Sequence, residues 1–401
     1  MIYPKIYLAL DNCFCSKRWN SPDQWSEIIK STGINYVELS ADNDCDPLFM
    51  GDDYLKKWVG EVAENCAKYD LTISSMYSGH GTYSTLGLGH PDKSVRSIMK
   101  NRWLKPMMYN AATLNTGLGF YCHAFNQQIL QNKAVYDNAC NILYEELSDL
   151  TQYAAYIQLK FLALEQMYSP HQIPWTIKGC MDIMQNVVHG LPLYITLDTG
   201  HQSIQSQFLM PAEQELLYSL KNNKHIWLGS NNAYDIFQSR KRDNIKLKEI
   251  IDDIQKHPWL FASEDDIDYI KWFERLACYS PIIHLQQCQK NSSPHLPFTD
   301  TYNESGIIKP IEILSAIKRC YDNQSENDMS DPVSEIYLTL EIFFPTAAKS
   351  YDIIKNMNDS VKYWRKFIPE DGLYVNEILD THLHNKNPIY NKTKIKNKYV
   401  D

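Results

Sequence analysis

Tyr194-Ile195-Thr196-Leu197-Asp198-Thr199-Gly200-His201 is the stretch whose reading decides the fold. A short, mostly apolar, strand-like run ends in an acid, a turn glycine and a histidine. Asp198 and His201 therefore leave the carboxyl end of a buried strand together, where parallel α/β sheets keep their chemistry. Three other runs end in the same way. Phe161-Leu162-Ala163-Leu164 stops at Glu165, Pro281-Ile282-Ile283 stops at His284, and Tyr337-Leu338-Thr339-Leu340 stops at Glu341. Two glutamates, an aspartate and a histidine, each at the end of its own strand, form a plausible set of divalent-metal ligands.

Outward from this stretch, strand and helix patterns alternate along the chain. Ile6 to Leu10 reads as a first strand, and Ser21-Pro22 opens a helix with a Ser cap and Pro at its first position. Tyr36 to Ser40 and Leu71 to Met76 are the next strands, and a fourth lies between Thr113 and Cys122, with His123 just past its end. Helical spacing of Leu143, Leu147, Leu150 and Ala154 marks a long crossover helix. Pro211 to Tyr279 reads as helices plus an insertion between strands six and seven. Glu335 to Leu340 is an eighth strand. Alternation with crossover helices means a parallel sheet, and eight units favour a closed (β/α)₈ TIM barrel over an open sheet. The expected organisation is one catalytic barrel over 1–384 and a polar, Lys/Asn-rich tail over 385–401.

The bulk numbers bound the function. A chain of 401 residues with 44% hydrophobic and 22% charged residues can bury a large core. A net charge of −9 argues against nucleic acid as a partner, because phosphate backbones call for a basic face. The start, Met1-Ile2-Tyr3-Pro4-Lys5, has no long apolar segment, and no run approaches a membrane span. Ten scattered cysteines without a C-x-x-C pair read as free thiols in a reducing cytoplasm. The expected setting is cytoplasmic, with the oligomeric state open, a homo-oligomer included.

One carboxylate at a strand end often serves only as a helix cap. Three of them converging on one barrel mouth are costly without a cation, because like charges resist ionising side by side. Glu165, Asp198, His284 and Glu341 would hold one divalent ion. Their O,O,O,N set suits Mn²⁺, Mg²⁺ or Co²⁺ better than structural Zn²⁺, although Zn²⁺ stays in the set.

The motifs Leu164-Glu165, Leu197-Asp198-Thr199-Gly200-His201, Ile283-His284-Leu285-Gln286 and Leu340-Glu341 resemble those of the xylose-isomerase-like superfamily of sugar isomerases and epimerases, over about Ile6 to Lys366. In its ketose 3-epimerase branch, the positions matching these four residues bind the metal, and the two glutamates act as acid and base. The position matching His201 contacts substrate oxygen. Ala9-Leu10-Asp11-Asn12-Cys13, Tyr77-Ser78-Gly79-His80-Gly81-Thr82-Tyr83 and Glu165-Gln166-Met167-Tyr168-Ser169-Pro170-His171-Gln172 look more narrowly like the tetrulose (erythrulose) phosphate epimerase/racemase group of erythritol catabolism. One departure stands out: the simple 3-epimerases have an Arg-bearing loop after the metal histidine, whereas Gln286 to Ser293 carries Lys290 and no Arg.

The resemblance implies a proton transfer through a metal-stabilised cis-enediolate. Glu165 and Glu341, on opposite faces, would take and return the proton, and epimerisation and isomerisation stay equally open. The expected substrate is a short sugar phosphate or, alternatively, a free ketose. His201, Gln286, His123 and His80 are substrate-binding candidates, and Lys17 and Arg18, after strand one, are candidates for a phosphate. Trp19, Tyr168 and Trp175 could wall the pocket. A metal-dependent phosphodiesterase would need more histidines and a basic groove. A non-catalytic sugar-binding barrel would have no use for two opposed bases.

Overall fold

The structure, a computed structural model, describes residues 2–79, 87–122, 124–187, 189–239, 247–323 and 329–386. His80, His123 and most of the tail over 385–401 fall outside the described residues.

The strands are β1 Lys5–Asp11, β2 Tyr36–Ser40, β3 Thr72–Tyr77, β4 Gly117–Phe120, β5 Leu162–Glu165, β6 Leu193–Asp198, β7 Ile282–Leu285, β8 Glu335–Leu340 and β9 Leu373–Tyr374. β1 to β8 pair in sequence order, and β1 pairs in parallel with both β8 and β2, which closes the barrel. β9, not foreseen from the sequence, adds antiparallel to the start of β1. The insertion between β6 and β7 is helical over Glu213–Asn222, Asn231–Gln238, Leu247–Ile254 and Tyr269–Leu276. Between β3 and β4 the helix from Lys93 to Thr113 is broken by a π-turn, Met99–Leu104, just before Pro106. Pro106 has no N–H to give to the preceding turn, and a widened register accommodates that loss.

Side chains of a strand alternate between its two faces. Leu8, Leu10, Leu162, Leu164, Ile195, Leu197, Ile283, Leu285, Leu338 and Leu340 turn outward and are fully buried under the helix layer, with Trp25, Trp58, Trp103, Trp272 and Trp364. The other parity faces the barrel axis. At the amino ends Tyr7, Tyr36 and Tyr337 bring their rings within 4.9, 5.1 and 5.8 Å of one another in pairs. Above them Phe161, Ala163 and Ile282, with Tyr194, make a small apolar plug. Gly117 and Gly119 leave room for it: a Cβ at Gly117 would come within 2.5 Å of the Phe161 ring, and one at Gly119 within 2.8 Å of Tyr77. Two or four residues further along the strands, the same parity delivers Asp11, Glu38, Glu165, Asp198, His284 and Glu341 to the mouth.

Candidate active site and metal centre

Glu165, Asp198, His284 and Glu341 are all buried, and each offers one ligand atom within 4.8 Å of the others. The structure thus brings together the four residues expected to bind metal. Asp198 is shaped by its own turn. Its Oδ1 accepts the backbone N–H groups of Gly200 at 2.7 Å and His201 at 3.0 Å. Gly200 adopts an ordinary right-handed backbone (φ −103°), so its reason is space rather than a special turn. A Cβ there would lie 2.5 Å from the Gln286 amide carbon.

That amide is fully engaged. Gln286 Nε2 donates to Asp198 Oδ1 at 2.9 Å and Oδ2 at 3.1 Å, and lies 3.2 Å from His295 Nε2. Its Oε1 accepts from the Ser293 hydroxyl at 3.1 Å and the His295 backbone N–H at 2.8 Å. Gln286, expected to meet substrate, is placed as a brace between Asp198 and the loop after β7. His201 faces the cavity. Its Nδ1–H points to the Gln166 carbonyl at 2.8 Å, leaving Nε2 3.9 Å from Asp198 Oδ1, and Tyr168 covers its ring at 4.9 Å.

Three residues here were missed from the sequence. His295 Nδ1 lies 3.3 Å from Glu341 Oε2, and with Asp198 and His201 it makes a second three-donor group. Glu38, wholly buried in β2, meets His284 Nε2 at 2.9 Å. The Tyr77 phenol donates to Glu165 Oε2. A lone acid between Val37 and Leu39 in a buried strand was the available signal for Glu38. Nothing local distinguished His295 in its long polar loop.

The electrostatics are uneven. Burial pushes the Glu165 carboxyl up, against the pull of His284 and His201. Burial opposes ionisation of Glu341 as well, but His284 and His295 outweigh it and hold this carboxyl well below the usual range. Asp11 is raised by burial, then by Glu38 and Glu341. Glu341 Oε2 faces the Nδ1 atoms of His284 and His295 at 3.2 and 3.3 Å, yet it is buried without a hydrogen bond. Three buried carboxylates and one imidazole, with one carboxylate oxygen that makes no hydrogen bond, fit a divalent cation, and the cluster could hold one.

Above the cluster lies a cavity of about 200 Å³ lined by Tyr77, Tyr121, Glu165, Met167, Tyr168, His201, Ser293, His295, Glu341 and Phe343. Tyr168 thus reaches the cavity, whereas Trp175 is packed in the core. Lys17 and Lys290 are exposed. Arg18 donates through Nη2 to the carbonyls of Pro345, Thr346 and Ala348 at 3.2, 2.9 and 2.7 Å, which pins the segment after β8. None of these three cations lines the cavity.

Comparison with known proteins agrees with this architecture. A protein from Brucella abortus (strain 2308) named D-erythrulose 1-phosphate 3-epimerase is 21% identical over 293 residues, 72% of this chain and 73% of that protein. A crystal structure from Rhodospirillum rubrum, provisionally named a xylose isomerase, superposes with a TM-score of 0.67 at 18% identity, covering 90% of this chain and 99% of that one. An L-ribulose 3-epimerase superposes at 0.52 with 12% identity over 99% and 100% of the two chains. At such identities the likeness to solved structures is one of fold. The family model described as a xylose isomerase-like TIM barrel matches residues 26–277, from the first crossover helix to the threshold of β7, and the chain belongs to that family.

Proposed function

We propose that this protein is an isomerase, a metal-dependent epimerase of a short ketose phosphate. The observation that carries the reading is that Glu165 and Glu341 reach one small cavity from separate strands while sharing a four-donor cluster with Asp198 and His284. A divalent ion bound there would polarise a ketose carbonyl and acidify the neighbouring C–H. One glutamate takes that proton, and the other, across the substrate, returns one. Tyr77 holds the Glu165 carboxylate in place through its phenol. His201, with Nδ1 engaged by the Gln166 carbonyl, presents Nε2 to a substrate oxygen. Met167, Tyr168 and Phe343 exclude water from the reacting carbon.

A cavity of about 200 Å³ is below the usual range of ligand pockets, about 300–1,000 Å³, which favours a sugar of few carbons. The name of the Brucella relative supports a tetrulose phosphate. Ser293, His201 and His295 are among the polar side chains that line the cavity and could meet its phosphate. A second reading, a free short ketose, is favoured by the absence of Lys and Arg among the described lining residues. The test is solvent-deuterium incorporation, with kcat/KM compared for erythrulose phosphate and free erythrulose. A phosphate recognised by one charged hydrogen bond of about 1.5–3 kcal/mol gives the phosphorylated sugar a tenfold to hundredfold preference. Equal efficiency on the two selects the free ketose, and no exchange into any ketose overturns the epimerase reading.

A further inference from the structure

Glu38 belongs to none of the four strand ends that make the candidate metal centre. It sits two strands away from β8, on β2, and is completely buried. A buried carboxylate is costly unless it is paired and hydrogen-bonded. Both of its oxygens are used. Oε1 lies 2.9 Å from His284 Nε2, and Oε2 accepts the Ser75 hydroxyl at 2.5 Å.

The backbone is built around this contact. The β2–β3 ladder runs Val37↔Ile73 and then Glu38↔Ser75, so β3 carries one extra residue, Ser74. Such a bulge redirects the side chains that follow it. Here it sends Ser74 Oγ to the Val37 carbonyl at 3.0 Å and turns Ser75 toward Glu38. The imidazole is also held from the side: the Tyr77 ring stands edge-on to it, 4.8 Å away at 82°. Gly119 leaves the space in which Tyr77 lies. The opposite nitrogen of His284, Nδ1, faces Glu165 Oε1 at 3.3 Å and Glu341 Oε2 at 3.2 Å.

We infer that Glu38 is the positioning residue of the metal centre. By accepting the Nε2–H of His284 it fixes the tautomer and ring plane that leave Nδ1 as the donor toward Glu165, Asp198 and Glu341. Ser75 fixes Glu38 in turn. This rests on the metal-dependent reading given above. A histidine that binds metal through one nitrogen is ordinarily anchored through the other, and losing such an anchor weakens metal binding by about 10–100-fold.

The experiment is a calorimetric titration of chelator-stripped protein with Mn²⁺, for wild type, Glu38→Gln, Glu38→Ala and Ser75→Ala. Melting of the metal-free proteins is measured alongside. Glu38→Ala is expected to weaken the Mn²⁺ Kd by about 10–100-fold. Glu38→Gln, whose amide oxygen can still accept the Nε2–H, should fall between it and wild type, and Ser75→Ala should be the mildest. A merely structural role would lower the melting temperature and leave Kd unchanged in the folded variants. If Glu38→Ala does not fold, Glu38→Gln decides. Wild type binding one Mn²⁺ and Glu38→Gln binding it equally well overturns this inference alone. Wild type binding no divalent cation overturns the metal-dependent reading and this inference with it.

Discussion

The two ends of the barrel axis are built from the same strands and the same inward parity, and they could hardly differ more in chemistry. At the amino ends, Tyr7 stacks on Tyr337 and meets Tyr36 edge-on, and the Tyr7 and Tyr337 hydroxyls each reach Glu335 at 3.2 Å. At the carboxyl ends, Asp11, Glu38, Glu165, Asp198 and Glu341 surround His284, and Glu341 and Asp11 each leave a buried oxygen without a hydrogen bond. One end spends its side chains on closing the core. The other holds like charges together at a cost that folding alone does not require. Position along the strand, and not the face it shows, separates stability from chemistry in this molecule. Substitutions at the two ends should therefore act on different observables.

The largest expected effect is at the mouth. Glu165→Gln and Glu341→Gln should each lower kcat by about 10³-fold or more, in line with loss of a general acid or base, with the far-UV spectrum and cooperative melting kept. His201→Ala should raise KM while the metal content stays near one per chain. Deuterium exchange and elemental analysis read these outcomes. A Gln variant with metal bound and near wild-type kcat would remove the two-glutamate mechanism.

At the base the balance reverses. Tyr337→Ala deletes a ring that is 5% exposed and touches two others, and should cost about 3 kcal/mol of unfolding free energy. Tyr337 lies four residues before Glu341, about 13 Å along the strand. Its loss should leave kcat/KM of the folded enzyme within about threefold of wild type. Urea unfolding and steady-state rates check the two halves. A loss of activity out of proportion to the loss of folded protein would show that the ends are coupled, and the contrast drawn here would fail.

How legible each end was follows from what the sequence encodes locally. Glu165, Asp198, His284 and Glu341 could be read because each terminates an apolar run, and barrel closure does the rest. The interior tyrosines and glycines were not read as a layer, because parity means little until the sheet closes. Glu38 was passed over because it lies inside β2 rather than after it, and its partner His284 is 246 residues away in sequence. His295 reaches the site only through the fold of a loop whose register is set by Gln286. Lys17 and Arg18 lie away from the cavity's described lining. Adjacency to a strand end says nothing of direction: Lys17 has a left-handed backbone (φ 68°) and an exposed side chain, and Arg18 serves the carbonyls after β8.

The smallest expected effect tests the base by pH. Burial, and then the Glu335 carboxylate, push the Tyr7 phenol from an ordinary value of 10.0 up to about 12. Tyr36 is raised by burial and by Asp371 and Glu335, and Tyr337 by burial and Glu335. In each case the folded chain keeps a proton that the unfolded chain releases near pH 10. The contribution to stability is complete below pH 10. Between pH 10 and 12, unfolding releases protons, so stability falls as pH rises. Tyr7→Phe has no proton to release and should flatten this fall, while at pH 8 it should differ from wild type by about 1 kcal/mol, the value of the lost hydrogen bond. Urea midpoints measured at pH 8, 10, 11 and 12 give the slope for both proteins. The mouth carries none of these three phenols, so stripping any metal bound there should shift both curves by the same amount and leave their difference in slope intact. Parallel curves for Tyr7→Phe and wild type across the alkaline range would mean that Tyr7 titrates as a free phenol, and that the base is less closed than its packed rings indicate.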